Sequence, residues 1–112
     1  MQVRQISDTY AVSPQISIAD VERLKEAGFK SIICNRPDNE DPGQVNHAEI
    51  QAAAKAAGMN FRWLPVVSGQ MTAGNVADQA AALDALPGPI LAYCRSGTRS
   101  ANLYAAVMNM RA

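Results

Sequence analysis

Short apolar runs alternate with capped helical segments along this chain, and that alternation limits the fold more than any single motif. Ser17 with Asp20 three residues on has the form of a capping box, Ile18, Val21 and Leu24 mark one helical face, and Gly28 stands where a helix ends. The run Lys30 to Asn35 is short, apolar and β-branched; it reads as a buried strand stopped by Arg36-Pro37. After the polar loop DNEDPGQ, Asn46 and Glu49 open a second helix through HAEIQAAAKAA, closed by Gly58. Phe61 to Val67 reads as another strand and SGQMTAG as a loop. Asn75 with Asp78 then opens a third helix that runs to about Leu86, before Pro87. Pro89 to Tyr93 is a further strand, and Thr98 to about Met110 is a last helix with Leu103, Val107 and Met110 at core spacing. Ahead of these, VRQIS and YAVS form a strand pair around the Ser7-Asp8 turn.

Alternation of this kind predicts an α/β fold, a mostly parallel sheet flanked by helices, because each helix returns the chain to the same edge of the sheet. At 112 residues the chain has room for one domain, and 48% hydrophobic against 18% charged residues is the balance of a folded one. Ten basic and ten acidic side chains leave no net field to hold a polyanion, so nucleic acid is not an expected partner. No window has the length of a membrane span and no signal segment opens the chain, which points to the cytoplasm. With one histidine and two widely spaced cysteines, no metal site and no cofactor are expected.

The chemistry concentrates in ILAYCRSGTRSANLYAA, where Cys94 ends a strand, Gly97 lies in the turn and a helix begins near Thr98. Successive backbone N–H groups of such a loop point inward, and the helix adds the positive end of its dipole. Arg95 and Arg99 add full charges, and Ser96, Gly97 and Thr98 complete the cradle. A cysteine there is placed to react as a thiolate, with Ser100 and Thr98 available to hydrogen-bond its sulfur.

Spacing bears on what that thiolate attacks. Four residues separate Cys94 from Arg99, one fewer than in cysteine phosphatases and as in rhodanese-type sulfurtransferases. A shorter ring suits a smaller guest, such as the terminal sulfur of a persulfide, better than a phosphoryl group with three oxygens. The stretch LPVVSGQMTAG, where a phosphatase places its acid, has no carboxylate, leaving Asp38 and Asp41 as candidate acids or as solvated turn residues.

YCRSGTRSA resembles the active loop of rhodanese domains. Over nearly its full length, through VRQISDTYAVSPQIS, SIICNRPDNEDPGQ, AAAKAAGMNFRWLPV and PILAYCRSGTRSA, the chain resembles the phosphatase-like domain of the β-lactamase-hydrolase-like proteins. The resemblance implies a fold similar to dual-specificity phosphatases, sulfur transfer or hydrolysis, and Cys94 as nucleophile in a cradle formed by Arg95 to Arg99. Some members are fused to a persulfide dioxygenase, so a separate chain of that kind is an expected partner beside a small anionic sulfur or phosphate substrate.

The expectation favoured at this level is sulfur transfer, with Cys94 carrying sulfane sulfur from thiosulfate or a thiol persulfide to a nucleophilic acceptor, aided by Arg99 and Ser100. A cysteine phosphatase working through a Cys94 phospho-intermediate is the alternative, and a noncatalytic anion- or partner-binding module is a third. Cys34 stands as a candidate resolving thiol or a packing residue, and Arg36 as an anion contact or a partner of the DNED carboxylates. His47 is expected to cap its helix or face solvent, and Phe61, Trp63 and Tyr93 to form core and pocket wall.

Overall fold

The computed structural model describes residues 1–112 and contains five strands and four helices. In chain order these are β1 (Arg4–Ser7), β2 (Tyr10–Ser13), α1 (Ile18–Glu26), β3 (Ser31–Cys34), α2 (His47–Ala56), β4 (Asn60–Trp63), α3 (Ala73–Ala85), β5 (Ile90–Tyr93) and α4 (Thr98–Arg111). The strands form one sheet in the order β1-β2-β5-β3-β4, parallel throughout except for the β1/β2 pair. β5 is central: Tyr93 lies opposite Ser13 on one side and Cys34 on the other. The carboxyl ends of β2, β5 and β3 therefore open at one edge, where an α/β sheet binds ligands.

Alternation along the strands divides the core into two layers. Ala11, Ile32, Cys34, Leu91 and Tyr93 face α1 and α2, meeting Val21, Leu24, Ile50 and Ala54. Tyr10, Val12, Ile33, Ile90 and Ala92 face α3 and α4, meeting Ala82 and Leu86. β2, β3 and β5 are buried at every position, which is why they read as continuous apolar runs. The small side chains of α2 let it lie close to the sheet, with Ala54 fully buried.

The helix starts show how local chemistry sets the boundaries. Ser17 accepts from the Asp20 N–H at 3.1 Å and Asp20 accepts from the Ser17 N–H at 2.9 Å, the expected reciprocal box. At α2 the Glu49 carboxylate accepts from the Asn46 N–H, while the Asn46 side chain turns to Asn39 instead. α3 begins earlier than Asn75: Thr72 is its cap and Asn75 is the returning partner, with bonds of 3.0 and 2.8 Å. Asparagine serves in either position of the box, and Thr72 takes the first.

β4 is shorter than the Phe61–Val67 run, ending at Trp63, although the Leu64 and Val66 N–H groups beyond it still donate to the Cys34 and Asn35 carbonyls at 2.9 and 3.2 Å. As an edge strand it leaves Trp63 39% exposed, and Phe61 only flanks the core. Ile18 and Met110, expected at core positions, are 52% and 56% exposed, each in the terminal turn of its helix. Leu103 and Val107 are fully buried as expected. No helix is long and apolar enough to cross a membrane.

Candidate active site

Cys94 follows β5 directly and is completely buried at the floor of the loop. The next residues turn the chain into α4, whose N-cap is Gly97 at φ 92°. That backbone is left-handed, and a Cβ on Gly97 would stand 3.3 Å from the carbonyl carbon of Ser13 and 3.4 Å from its oxygen. Glycine is required here twice over, for the turn and for the close approach to β2. The turn brings the Gly97 N–H to 3.1 Å from the Cys94 Sγ, so the loop donates to the sulfur from its own backbone.

Arg99 leaves the first turn of α4 and enters a dense ionic cluster. Its two terminal nitrogens donate to both oxygens of Glu40 at 2.8 Å, and Nη1 also donates to the Val66 carbonyl at 2.8 Å. Glu40 accepts a further bond from Arg36 Nε at 2.9 Å. Arg36, though only 2% exposed, is fully partnered, since its remaining nitrogens donate to Gln15 and Asp41 at 2.9 Å. Asp41 in turn accepts from Arg95 at 3.1 and 3.2 Å. Burial pushes the Glu40 carboxyl up, but Arg99 and Arg36 outweigh it and hold the group below the usual range. Asp41 is held below its ordinary value chiefly by the Arg36 hydrogen bond. Arg36 thus takes the structural role with the DNED carboxylates, and it reaches the loop through Glu40, Asp41 and Gln15, whose N–H donates to the Arg95 carbonyl.

Ser100 does not serve the sulfur. Its hydroxyl donates to Asn35 Oδ1 at 3.0 Å within a closed buried circuit. Asn35 Nδ2 donates to the Leu64 carbonyl at 3.1 Å and to Gln79 Oε1 at 2.9 Å; Gln79 Nε2 donates to the Tyr10 hydroxyl at 3.1 Å; and that hydroxyl donates to the Ser100 carbonyl at 2.9 Å. Two backbone carbonyls, which accept only, fix every proton in this ring. The Leu64 oxygen demands the amide nitrogen of Asn35, which turns its oxygen to Ser100 and obliges the serine to donate away from Cys94. Thr98 Oγ1 accepts from Ser96 Oγ at 3.1 Å.

The other candidates fall into place around this centre. Asp38 receives the His47 backbone N–H at 2.9 Å and pairs with the ring Nδ1 at 2.8 Å, so His47 is neither a cap nor a solvent-facing residue. Its ring stacks on Trp63 with centroids 3.6 Å apart, and Trp63 donates to the Arg36 carbonyl at 3.0 Å. Cys34 is buried on the α1/α2 side of the sheet and donates to the Arg36 carbonyl at 3.5 Å. Burial pushes its thiol up, which disfavours the thiolate a resolving cysteine needs, and the packing role prevails. Tyr93 is core, its hydroxyl beside the Cys34 thiol.

The residues that sequence reasoning missed are Glu40, Gln15, Gln79, Asn35 and Tyr10. A lone glutamine in the alanine-rich α3 and an asparagine just past a buried strand were the available signals. Glu40 is among the DNED carboxylates expected beside Arg36, and what the sequence does not signal is its pairing with Arg99.

Comparison with known proteins gives this geometry its context. A β-lactamase hydrolase-like protein of Agrobacterium fabrum is 36% identical over 104 residues, covering 93% of this chain and 24% of that relative. The chain therefore spans about a quarter of the length of the curated relatives it matches. A candidate phosphatase from Neisseria meningitidis, known from its crystal structure, superposes with a TM-score of 0.86 at 34% identity, covering 93% of this chain and 74% of that one. The core catalytic domain of the PP-IP phosphatase Siw14 from S. cerevisiae shares the fold with a TM-score of 0.66 at 14% identity, over 85% of this chain and 56% of that one. The cysteine-phosphatase-like α/β fold is thereby established, and residues 2–110 match the family described as the beta-lactamase hydrolase-like protein, phosphatase-like domain, to which this chain belongs.

Proposed function

We propose that the domain is a cysteine-dependent phosphatase that forms a thiophosphate at Cys94. The observation that carries this is the convergence of a buried sulfur, an inward backbone N–H and Arg99 at the carboxyl end of β5, in a phosphatase-like family member. The family and its neighbours support phosphate hydrolysis better than the sulfur transfer expected from loop length. In the reaction, the Cys94 thiolate attacks phosphorus, the loop N–H groups and Arg99 hold the equatorial oxygens, and water then releases phosphate. Arg36, Arg95 and Arg99 outnumber Glu40 and Asp41 by one positive charge, which the Cys94 thiolate balances, so the site suits a small substrate over a polyanion.

Sulfane-sulfur transfer is the second reading, supported by the four residues between Cys94 and Arg99. The two separate in one experiment. The protein and its Cys94→Ser variant are mixed with 4-nitrophenyl phosphate, and in parallel with thiosulfate, followed by phosphate assay and intact mass. Cys94-dependent phosphate release supports the phosphatase. Addition of one sulfur at Cys94 without phosphate release overturns it in favour of transfer, and neither result leaves an anion-binding module.

A further inference from the structure

When a thiolate displaces an alkoxide from phosphorus, the departing oxygen needs a proton, and a carboxylic acid within hydrogen-bond reach accelerates that step by roughly 10²–10⁴-fold. Three carboxylates stand on the loop beside Cys94, and each is occupied. Asp38 has both oxygens on His47. Glu40 accepts three bonds from Arg99 and Arg36. Asp41 accepts three bonds from Arg36 and Arg95. The arginines hold Glu40 and Asp41 below the usual range, so at neutral pH neither carries a proton to give. If Arg99 turns to a substrate, Glu40 still keeps the 2.9 Å bond from Arg36. Residues 64–72, which follow β4, contain no Asp or Glu, and Asp78 in α3 opens on a different groove, with Trp63, Leu64 and Pro65.

We infer that the site takes phosphoryl donors whose leaving group departs as a stable unprotonated anion, such as aryl phosphates, acyl phosphates and phosphoanhydrides, and not phosphate esters of aliphatic alcohols. This rests on the phosphatase reading above. In the first step the Cys94 sulfur forms an S–P bond, the P–O bond breaks, and its electron pair leaves with the oxygen as an anion that takes no proton from the protein. In the second, water adds to phosphorus, the S–P pair returns to sulfur as thiolate, and the proton from water passes to solvent. No oxidant or metal enters either step.

The test is a leaving-group series, measured as kcat/KM for 4-nitrophenyl phosphate, phenyl phosphate, acetyl phosphate and glycerol 2-phosphate, with Cys94→Ser as the blank. The expected result is a fall of roughly 10²–10⁴-fold from 4-nitrophenyl phosphate to glycerol 2-phosphate, the gap that acid catalysis would otherwise close, with acetyl phosphate near the top. Asp38→Asn and Asp78→Asn should keep the same dependence on leaving group. Near-constant kcat/KM across the series overturns the inference. So does any of Asp38→Asn, Glu40→Gln, Asp41→Asn or Asp78→Asn that loses activity on phenyl phosphate while keeping it on 4-nitrophenyl phosphate, the signature of a lost acid. Failure to release phosphate from even 4-nitrophenyl phosphate in a Cys94-dependent way overturns the phosphatase reading itself, and is distinguishable from both.

Discussion

Arg99 and Glu40 meet fork to fork through two 2.8 Å hydrogen bonds, so the guanidinium that a phosphoryl group would use is already neutralised by a carboxylate of the same chain. An incoming anion competes with Glu40 for that arginine. Glu40→Gln removes the competing charge and should tighten inhibition by inorganic phosphate about tenfold, or about 1.4 kcal/mol. The inhibition constant against an aryl phosphate reads this directly, and a weaker constant in the variant would show that Glu40 orients Arg99 without competing for it.

The same pairing makes stability depend on acid. Burial raises the Glu40 carboxyl, the two arginines lower it further, and the net folded value lies below the ordinary 4.5. The stabilisation is therefore complete above that ordinary value and is lost as pH falls through the lower folded one. Asp41, lowered from 3.8, adds the same sign over a somewhat more acidic window. Urea midpoints measured from pH 7 down to pH 3 should fall at the acid end, and less steeply in Glu40→Gln.

Gly97→Ala should be costly for a chain of this size. The substitution places a Cβ at positive φ and within 3.3 Å of the Ser13 backbone, which cannot give way without moving β2. Left-handed strain alone costs about 1–2 kcal/mol. Thermal unfolding should register that loss, and Cys94-dependent turnover should fall with it, because the Gly97 N–H that faces the sulfur is displaced.

Ser100→Ala separates a structural role from a chemical one. It leaves the Asn35 carbonyl oxygen buried without a donor, a cost of about 1–3 kcal/mol in stability. Since the serine proton points away from Cys94, the rate at which iodoacetamide alkylates Cys94 at neutral pH should hardly change. A marked slowing of alkylation in folded Ser100→Ala would mean that the hydroxyl does support the thiolate.

The site was legible in the sequence where its geometry is local. Cys94, Gly97 and Arg99 lie within six residues of one another, and a buried strand, a left-handed turn and a helix start follow from their own chemistry. Partners were not legible. In sequence Asp41 is a possible acid, yet two arginines hold it as a carboxylate; Ser100 stands close to the sulfur in sequence, yet its proton goes to Asn35. The third helix starts before Asn75 because Thr72 and Asn75 are both competent caps, and which of them caps depends on which side chain reaches back.

The alternation of strands and helices, the α/β class and the loop that holds Cys94 follow from local residue chemistry, because β-branching, capping and glycine act over a few residues. Tertiary structure decided how that loop is governed. Glu40 reaches Arg99 across 59 positions, and the Tyr10 hydroxyl reaches the Ser100 carbonyl across 90. Such contacts exist only once parallel pairing has set β2, β5 and β3 side by side, since a charge or a hydroxyl in the sequence has many possible partners and only packing selects one.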